Sequence, residues 1–208
     1  MITIIDYGLG NIRAFANIYE RLKIKVNIAK NKSQIIGAEK IILPGVGAFD
    51  FAMSQLNESG MRDALEKEVI SNGVPVLGIC VGMQMLANSS QEGELSGLGW
   101  IDGTVKKFDK KLLISNSCRL PHMGWNNVKQ TSNNILYDNI PDLGRFYFLH
   151  SYYFTSFDND SIMTSTHYGI DFTRSVNKNN IYGVQFHPEK SHSLGVQILK
   201  NFANFPLC

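Results

Sequence analysis

The sequence of 208 residues predicts an α/β fold, with a mostly parallel central sheet flanked by helices and an additional antiparallel portion in the C-terminal half. Strand-like and helical segments alternate over residues 1–90, which is the pattern of βαβ units and hence of parallel strands. From Gly97 onward, short strand-like segments are separated by Gly, Asn and Asp, which is typical of antiparallel pairing. The length suits one domain, spanning residues 1–208.

The elements of the N-terminal half follow from the spacing of their apolar residues. Residues 2–5 form a short apolar run that ends at a turn, which predicts a buried strand. Residues 11–22 carry apolar side chains at helical spacing. Further strands are predicted at residues 26–29, 40–43 and 75–79, and further helices at residues 49–56 and 61–70.

The C-terminal half is predicted to contain more strands than helices. The strands are expected at residues 100–108, 111–114, 145–149, 161–166, 171–175 and 181–184. Residues 191–202 predict an amphipathic helix in which Leu194, Ile198 and Leu199 face inward. Several of these strands are expected to pair antiparallel and to extend or flank the parallel sheet.

Composition and charge exclude several classes of partner. Apolar residues make up 44% and charged residues 18%, as in compact proteins, and the net charge is only +2. The basic cluster at residues 106–111 is broken by Phe108 and Asp109, so a solvated strand or turn explains it better than a nucleic-acid site. No apolar run approaches the roughly 18 residues that span a bilayer. We expect no nucleic-acid partner, no membrane partner and no cofactor.

The cysteines Cys80, Cys118 and Cys208 lie far apart along the chain. An odd number at such distances fits neither a disulfide framework nor a zinc site, so no metal is expected. The expected location is then the reducing cytoplasm, where a free thiol can act as a nucleophile. Cys118 and Cys208 have no assignable role.

Residues 74–84 place Cys80 in a Gly-x-Cys-x-Gly motif, between an apolar strand and helix-forming residues. This is the thiol version of a nucleophile elbow, a tight strand-to-helix turn that projects the nucleophile. The helix N-terminus favours a thiolate, and the backbone N–H of Val81 points to where an oxyanion would form. Taken alone, the motif fits a buried core cysteine equally well.

His187 and Glu189 lie two residues apart, so an extended backbone places both side chains on one face. A carboxylate beside an imidazole can orient it, fix its tautomer and stabilise the imidazolium. When this stretch is taken alone, an ordinary turn with a surface histidine explains it somewhat better. Its coincidence with the elbow at Cys80 favours a catalytic pair.

A Pro-Gly-x-Gly loop at residues 44–47 follows another predicted strand. Backbone N–H groups of such a loop can face a ligand, although a plain turn is the simpler explanation of the loop by itself. As a partner of the Cys80 elbow, the loop would supply a second donor to an oxyanion.

These stretches together resemble the class I (triad) glutamine amidotransferases, and among them the glutaminase subunits of imidazole glycerol phosphate synthases. The similarity extends over nearly the whole chain. It rests on motifs that occur in the family's order at residues 5–12, 43–49, 78–84, 120–126, 148–153 and 183–191.

The resemblance implies that Cys80 attacks the side-chain amide of glutamine, forms a thioester and releases ammonia. His187 would move protons in both steps, and Glu189 would orient His187. The backbone N–H groups of Val46 and Val81 would hold the oxyanion. The residues implied to bind glutamine are Gly47, Gln84, Glu92, Ser151 and Tyr152. For Gln84 and Glu92, a solvated helix end is the alternative.

The resemblance also implies a partner. The ammonia would pass through a channel to a cyclase subunit of (β/α)₈ barrel type, which makes imidazole glycerol phosphate in histidine biosynthesis, and the two subunits would form a heterodimer. The positions that match partner-facing ones are Asn11, Met123, Trp125, Asn126, Tyr153 and Lys190. Trp125 is the candidate anchor of that interface, with a core tryptophan as the alternative.

Three other functions stay open from the sequence. Some close relatives supply ammonia to an amidotransferase that builds amidino sugars for bacterial surface polysaccharide, and Trp100 stands where an aliphatic residue is commoner in the histidine pathway. A non-catalytic scaffold is disfavoured because Cys80, His187 and Glu189 are all present. A cysteine peptidase on the same type of fold is disfavoured by the motifs at residues 44–47 and 122–126.

Overall fold

A computed structural model describes residues 1–131 and 133–206 of the chain, so Cys208 lies outside the described residues. Across these residues, nine strands form one mixed sheet and three short strands form a second sheet. The strands are β1 (Ile2–Ile5), β2 (Val26–Ala29), β3 (Ile41–Gly45), β4 (Val76–Cys80), β5 (Ser89–Ser90), β6 (Gly103–Lys107), β7 (His122–Gln130), β8 (Gly144–His150), β9 (Tyr152–Ser156), β10 (Ile162–His167), β11 (Asp171–Lys178) and β12 (Ile181–Val184). The α-helices are α1 (Ile12–Arg21), α2 (Phe49–Glu58), α3 (Arg62–Glu66), α4 (Val81–Gln84), α5 (Lys110–Ser115) and α6 (His192–Ala203).

The large sheet has the strand order β2-β1-β3-β4-β12-β11-β10-β7-β8. The strands from β2 to β12 in this order are parallel, and those from β12 to β8 are antiparallel. The predicted α/β fold is confirmed, but the prediction of a mostly parallel sheet is wrong. The reason is that β12 pairs with β4 on one side and with β11 on the other, so the antiparallel strands continue the same sheet and make up at least as much of it.

The parallel strands are buried as the sequence predicts. Every residue of β1, β3 and β4 is buried, which is expected where helices cover both faces of a parallel sheet. On α6, Ile198 and Leu199 are buried as expected, whereas Leu194 is only half-buried. No helix formed by the described residues is long and apolar enough to cross a membrane.

One predicted strand is a helix. The sequence predicts a strand at residues 111–114, but these residues lie in α5. Asp109 accepts a hydrogen bond from the backbone N–H of Lys111 at 2.8 Å, which caps the helix. Leu113 is the one buried residue of the helix and packs with Phe108 and Phe172, and a single buried side chain suits a short helix on the surface.

Glycines bring the backbones of β3, β4 and α4 into contact. A Cβ on Gly45 would collide with the backbone nitrogen of Gly82, and a Cβ on Gly78 would lie 2.7 Å from the Gly82 carbonyl oxygen. A Cβ on Gly82 would itself collide with the carbonyl oxygen of Leu43. No side chain fits at these positions, so α4 begins directly against the two strands.

We expect Gly82→Ala to lower the free energy of unfolding by about 3 kcal/mol, because the added Cβ overlaps a strand carbonyl that cannot move freely. Gly37→Ala is the control, since Gly37 has a φ of 76° but nothing within 4 Å of its would-be Cβ. Its positive φ alone predicts a loss of about 1 kcal/mol. Denaturant unfolding of both variants measures the difference, and equal losses would contradict the close-packing explanation.

Candidate active site

Cys80 ends strand β4, and α4 begins at the next residue. Its backbone has a φ of 56° and a ψ of −112°, a region that residues with side chains rarely adopt. The residue is buried against the core. This is the geometry of a nucleophile elbow, in which a strained turn between strand and helix projects the side chain.

Strand register places His187 and Glu189 beside Cys80. Strand β12 pairs with β4 in parallel, with Val184 opposite Ile79, so the segment after β12 lies next to the residue that ends β4. His187 donates through Nδ1 to Glu189 Oε1 at 2.9 Å. On the other side of the imidazole, Cys80 is among the groups that raise the pKa of His187, and both residues line the same cavity. The Cys80 thiol, the His187 imidazole and the Glu189 carboxylate are therefore neighbours in this order.

The electrostatics of these three side chains favour a charged imidazole. The Glu189 side chain is 2% exposed, and within residues 1–131 and 133–206 no group hydrogen-bonds to its Oε2 atom. Burial alone would lower the pKa of His187, but its interactions with the Cys80 and Glu189 side chains raise the pKa to about 10. The charged form of the imidazole is therefore favoured between a carboxylate and a sulfur atom.

A cavity of about 300 Å³ is lined by Cys80 and His187. The residues predicted to bind glutamine also line it, namely Gly47, Gln84, Glu92, Ser151 and Tyr152. So do Val46 and Val81, the predicted oxyanion donors. The structure thus brings the predicted site residues together around one cavity, with Glu189 behind His187. Their roles in binding and catalysis stay predictions.

The first turn of α2 holds the loop that carries Glu92. Glu92 Oε2 accepts a hydrogen bond from the Phe49 backbone N–H at 2.9 Å, and the Asp50 carboxylate accepts from the N–H groups of Glu94 and Leu95 at 2.8 and 3.1 Å. Burial raises the pKa of Glu92, although the Phe49 hydrogen bond opposes that rise. Glu92 is therefore a fixed acid at the edge of the cavity rather than part of a solvated helix end.

Two polar residues of the site were not predicted from the sequence. Gln185 is fully buried and donates through Nε2 to Cys80 Sγ at 3.9 Å. His150 lines the cavity and donates through Nδ1 to the Tyr152 carbonyl oxygen at 2.8 Å. Gln185 precedes His187 by two residues, so the alternation that paired His187 with Glu189 was the available signal for it. No comparable local pattern marks His150.

The residues predicted to face a partner divide into two groups. Met123 is 62% and Trp125 38% exposed, on the face of β7 and β8 that also carries Leu149, which lines the cavity. Asn11 and Lys190 are exposed too.

Asn126 and Tyr153 differ from that group. The Asn126 side chain lies on the opposite face of β7 and donates to His122 Nε2 at 3.3 Å. Tyr153 packs against Phe108, with ring centroids 4.6 Å apart. Neither side chain lies on the exposed face that carries Met123, Trp125 and Leu149.

In the described part of the chain, no group of three or more His, Cys, Asp or Glu residues is arranged to hold a metal ion. Cys80 and Cys118 are free thiols.

Comparison with known proteins identifies the family. The family model described as glutamine amidotransferase class-I matches residues 3–204. The chain belongs to the class-I glutamine amidotransferase family. A crystal structure described as a glutamine amidotransferase has the same fold, with a TM-score of 0.75 at 16% identity, covering 98% of this chain and 99% of that chain. The structure of a putative GMP synthase subunit from Thermoplasma acidophilum gives a TM-score of 0.72 at 20% identity, covering 97% of this chain and 91% of that chain.

Relatives within this family are much more similar in sequence. A protein of Bdellovibrio bacteriovorus is 55% identical over 203 residues, which cover 98% of this chain and 99% of the relative. A protein of Leptospira borgpetersenii is 51% identical over 204 residues, which cover 98% of this chain and 100% of the relative. Both are named imidazole glycerol phosphate synthase subunit HisH.

We expect the pKa of His187 to lie near 10 and to fall in Glu189→Gln, because the variant removes one of the negative charges that raise it. Titration of the imidazole by NMR measures both values. Asp171→Asn is the control, since it removes a carboxylate from the exposed pair with His167 and should leave His187 unchanged. A His187 pKa near the ordinary histidine value of about 6.5 would show that Cys80 and Glu189 do not stabilise the charged imidazole.

Proposed function

We propose that this chain is the glutaminase subunit of an imidazole glycerol phosphate synthase. It hydrolyses L-glutamine to glutamate and ammonia, and the ammonia passes to a cyclase subunit in histidine biosynthesis. The observation that carries the proposal is the line from Cys80 through His187 to Glu189 at a cavity of about 300 Å³. The names of relatives that are 51–55% identical over nearly their whole length support the pathway.

In the first step, the Cys80 thiolate attacks the side-chain amide carbon of glutamine. The tetrahedral oxyanion accepts hydrogen bonds from the backbone N–H groups of Val46 and Val81. The His187 imidazolium gives its proton to the amide nitrogen as the carbon–nitrogen bond breaks, so ammonia leaves and a thioester remains. The raised pKa of His187 suits this role, because the proton is present before the substrate arrives.

In the second step, neutral His187 takes a proton from a water molecule, and the resulting hydroxide attacks the thioester. Glutamate leaves, and the thiolate and the imidazolium are restored together. The buried Glu189 carboxylate holds the imidazole in one orientation and stabilises its charged form.

The substrate is held at the other end of the cavity. Glu92 offers a carboxylate to the α-ammonium group of glutamine, and its bond to the Phe49 N–H fixes its position. Gln84, Ser151 and Tyr152, which line the same cavity, supply further polar contacts, and Gly47 leaves room beside the oxyanion loop.

The partner is a cyclase of (β/α)₈ barrel type, in a heterodimer, and it covers the exposed apolar surface formed by Met123, Trp125 and Leu149. Its contact extends to Asn11 and to Lys190, whose Nζ lies 5.7 Å from the centre of the Tyr147 ring. Trp125 stacks on His192 with ring centroids 5.0 Å apart, so it is held in place while still exposed. Rigid, exposed aromatic residues are frequent anchors of interfaces.

The amidino-sugar pathway has less support. Trp100 is the residue that suggested this pathway. It is 5% exposed and belongs to the core, so it does not contact a partner or its acceptor. We also propose that residues 1–208 form a single amidotransferase domain, which the family match over residues 3–204 supports. A cytoplasmic location suits the free thiol that the mechanism requires.

We expect Cys80→Ala to lower ammonia release from glutamine by about 10⁴-fold or more, because no other group in the cavity can form the thioester. The assay uses the complex obtained by co-purification with each candidate partner, the cyclase and the sugar amidotransferase, with and without that partner's acceptor. Cys118→Ala is the control and should keep wild-type activity. Undiminished release by Cys80→Ala would rule out the mechanism and leave the scaffold as the explanation.

We expect Trp125→Ala to weaken binding of the cyclase by about 30-fold or more, because truncation of a central aromatic anchor commonly costs at least about 2 kcal/mol. Calorimetric titration with the purified cyclase measures the affinity. Phe157→Ala is the matched control, since Phe157 is an exposed aromatic residue on a turn outside this surface. Equal affinities for Trp125→Ala and wild type would place the interface elsewhere.

A further inference from the structure

A buried pair of histidines lies behind the cavity. His122 Nδ1 and His150 Nε2 are 3.0 Å apart, and His150 Nδ1 lies 2.8 Å from the Tyr152 carbonyl oxygen. On the other side, Asn126 Nδ2 lies 3.3 Å from His122 Nε2. His122 is 2% and His150 7% exposed, so water contributes little to these contacts.

The Tyr152 carbonyl joins this pair to the nucleophile. It also accepts a hydrogen bond from Gln84 Nε2 at 3.0 Å, and the same Gln84 nitrogen donates to Gln185 Oε1 at 3.0 Å. Because its oxygen accepts from Gln84, the Gln185 amide turns its nitrogen towards Cys80 Sγ, 3.9 Å away. The hydrogen bonds therefore run without a break from Asn126 to the sulfur atom.

For neutral imidazoles, the donor and the acceptor of every hydrogen bond between Asn126 and Cys80 are determined. The Tyr152 carbonyl can only accept, so His150 must carry its proton on Nδ1 and leave Nε2 free to accept. His122 must then donate from Nδ1, and its own Nε2 accepts from Asn126. The Asn126 amide is itself oriented, because its oxygen accepts the Asn127 backbone N–H at 2.8 Å. Both imidazoles are thus required in one neutral tautomer.

Burial keeps the two imidazoles neutral, and a buried guanidinium group adds to its effect. The Arg174 guanidinium is fully buried and stacks on Phe148, with its central carbon 3.9 Å from the ring centre. Burial and the charge of Arg174 lower the pKa of His122 to about 3. Burial, together with His122, also lowers the pKa of His150. An imidazolium at either position could not accept a hydrogen bond from its neighbour, and this charged form is therefore disfavoured.

We infer that His122 and His150 are positioning residues for the hydrolysis of glutamine, an inference that rests on the proposed function. They hold the Tyr152 carbonyl, and through it Gln84 and Gln185, in the orientation that lines the cavity and directs an N–H group to the sulfur atom of Cys80. Among the described residues, neither histidine is hydrogen-bonded to Cys80, His187 or Glu189.

Loss of the hydrogen-bond donor at residue 122 should affect substrate binding most. Without a donor on residue 122, the Nε2 atom of His150 is left unpaired, or His150 moves its proton to Nε2 and releases the Tyr152 carbonyl. Either change loosens Ser151 and Tyr152, which line the glutamine cavity, before it reaches Cys80.

Two substitutions of His122 separate hydrogen bonding from packing. The imidazole lies between the rings of Phe148 and Tyr168, with centroid distances of 5.0 and 3.9 Å. His122→Phe keeps an aromatic ring there but removes the donor. His122→Asn removes the ring but places an amide N–H near the position of Nδ1.

In the reconstituted complex, we expect His122→Phe to lower kcat/KM for glutamine about tenfold, mainly through a higher KM, and His122→Asn to stay within about threefold of wild type. Denaturant unfolding of each variant checks that it is folded. The opposite order, with Phe tolerated and Asn impaired, would show that His122 acts by packing and would overturn the inference. Wild-type complex that releases no ammonia would instead refute the proposed function.

A measurement on the wild-type protein decides the inference if a variant does not fold or the complex is inactive. ¹⁵N NMR of histidine-labelled protein should show His122 and His150 as neutral imidazoles protonated at Nδ1, with Nε2 unprotonated. Protonation of either ring at Nε2 would break the chain of donors and overturn the inference.

Discussion

The close approach of α4 to β3 and β4 is the constraint on which the rest of the site depends. Because Gly45, Gly78 and Gly82 have no side chains, α4 starts against the strands, and the chain must turn sharply at Cys80. The pairing of β4 with β12 then brings the segment with His187 alongside this turn. The ion pair, the loop at residues 44–47 and the cavity are arranged around a turn that bulkier residues would prevent.

The N-terminal half was predictable because its signals are local. The continuous apolar runs of β1, β3 and β4 and the apolar stripe of α1 each mark a buried element without reference to distant residues. The Gly-x-Cys-x-Gly motif around Cys80 is local in the same sense. For this reason, the elbow and its glycines could be predicted from sequence spacing and chemistry.

The C-terminal half was harder because its pairing and packing are long-range. Strand β7 was not predicted, since its inward-facing positions include His122, Gly124 and Asn126, and an apolar alternation is therefore missing. These polar residues are tolerated because partners from other strands satisfy them, as His150 on β8 does for His122. The mixed character of the sheet has the same origin, because no local pattern shows that β12 joins its two halves.

The backbone of Cys80 has a further consequence for how the protein can change. Its positive φ would be less strained in glycine, and such strain is on the order of 1–3 kcal/mol. Stability alone would therefore select against a side chain at this position, and under the proposed mechanism only the chemistry of the thiol retains it. In that case conformational stability and catalysis impose opposite demands at Cys80, so a more heat-resistant homologue would have to gain its stability away from the elbow.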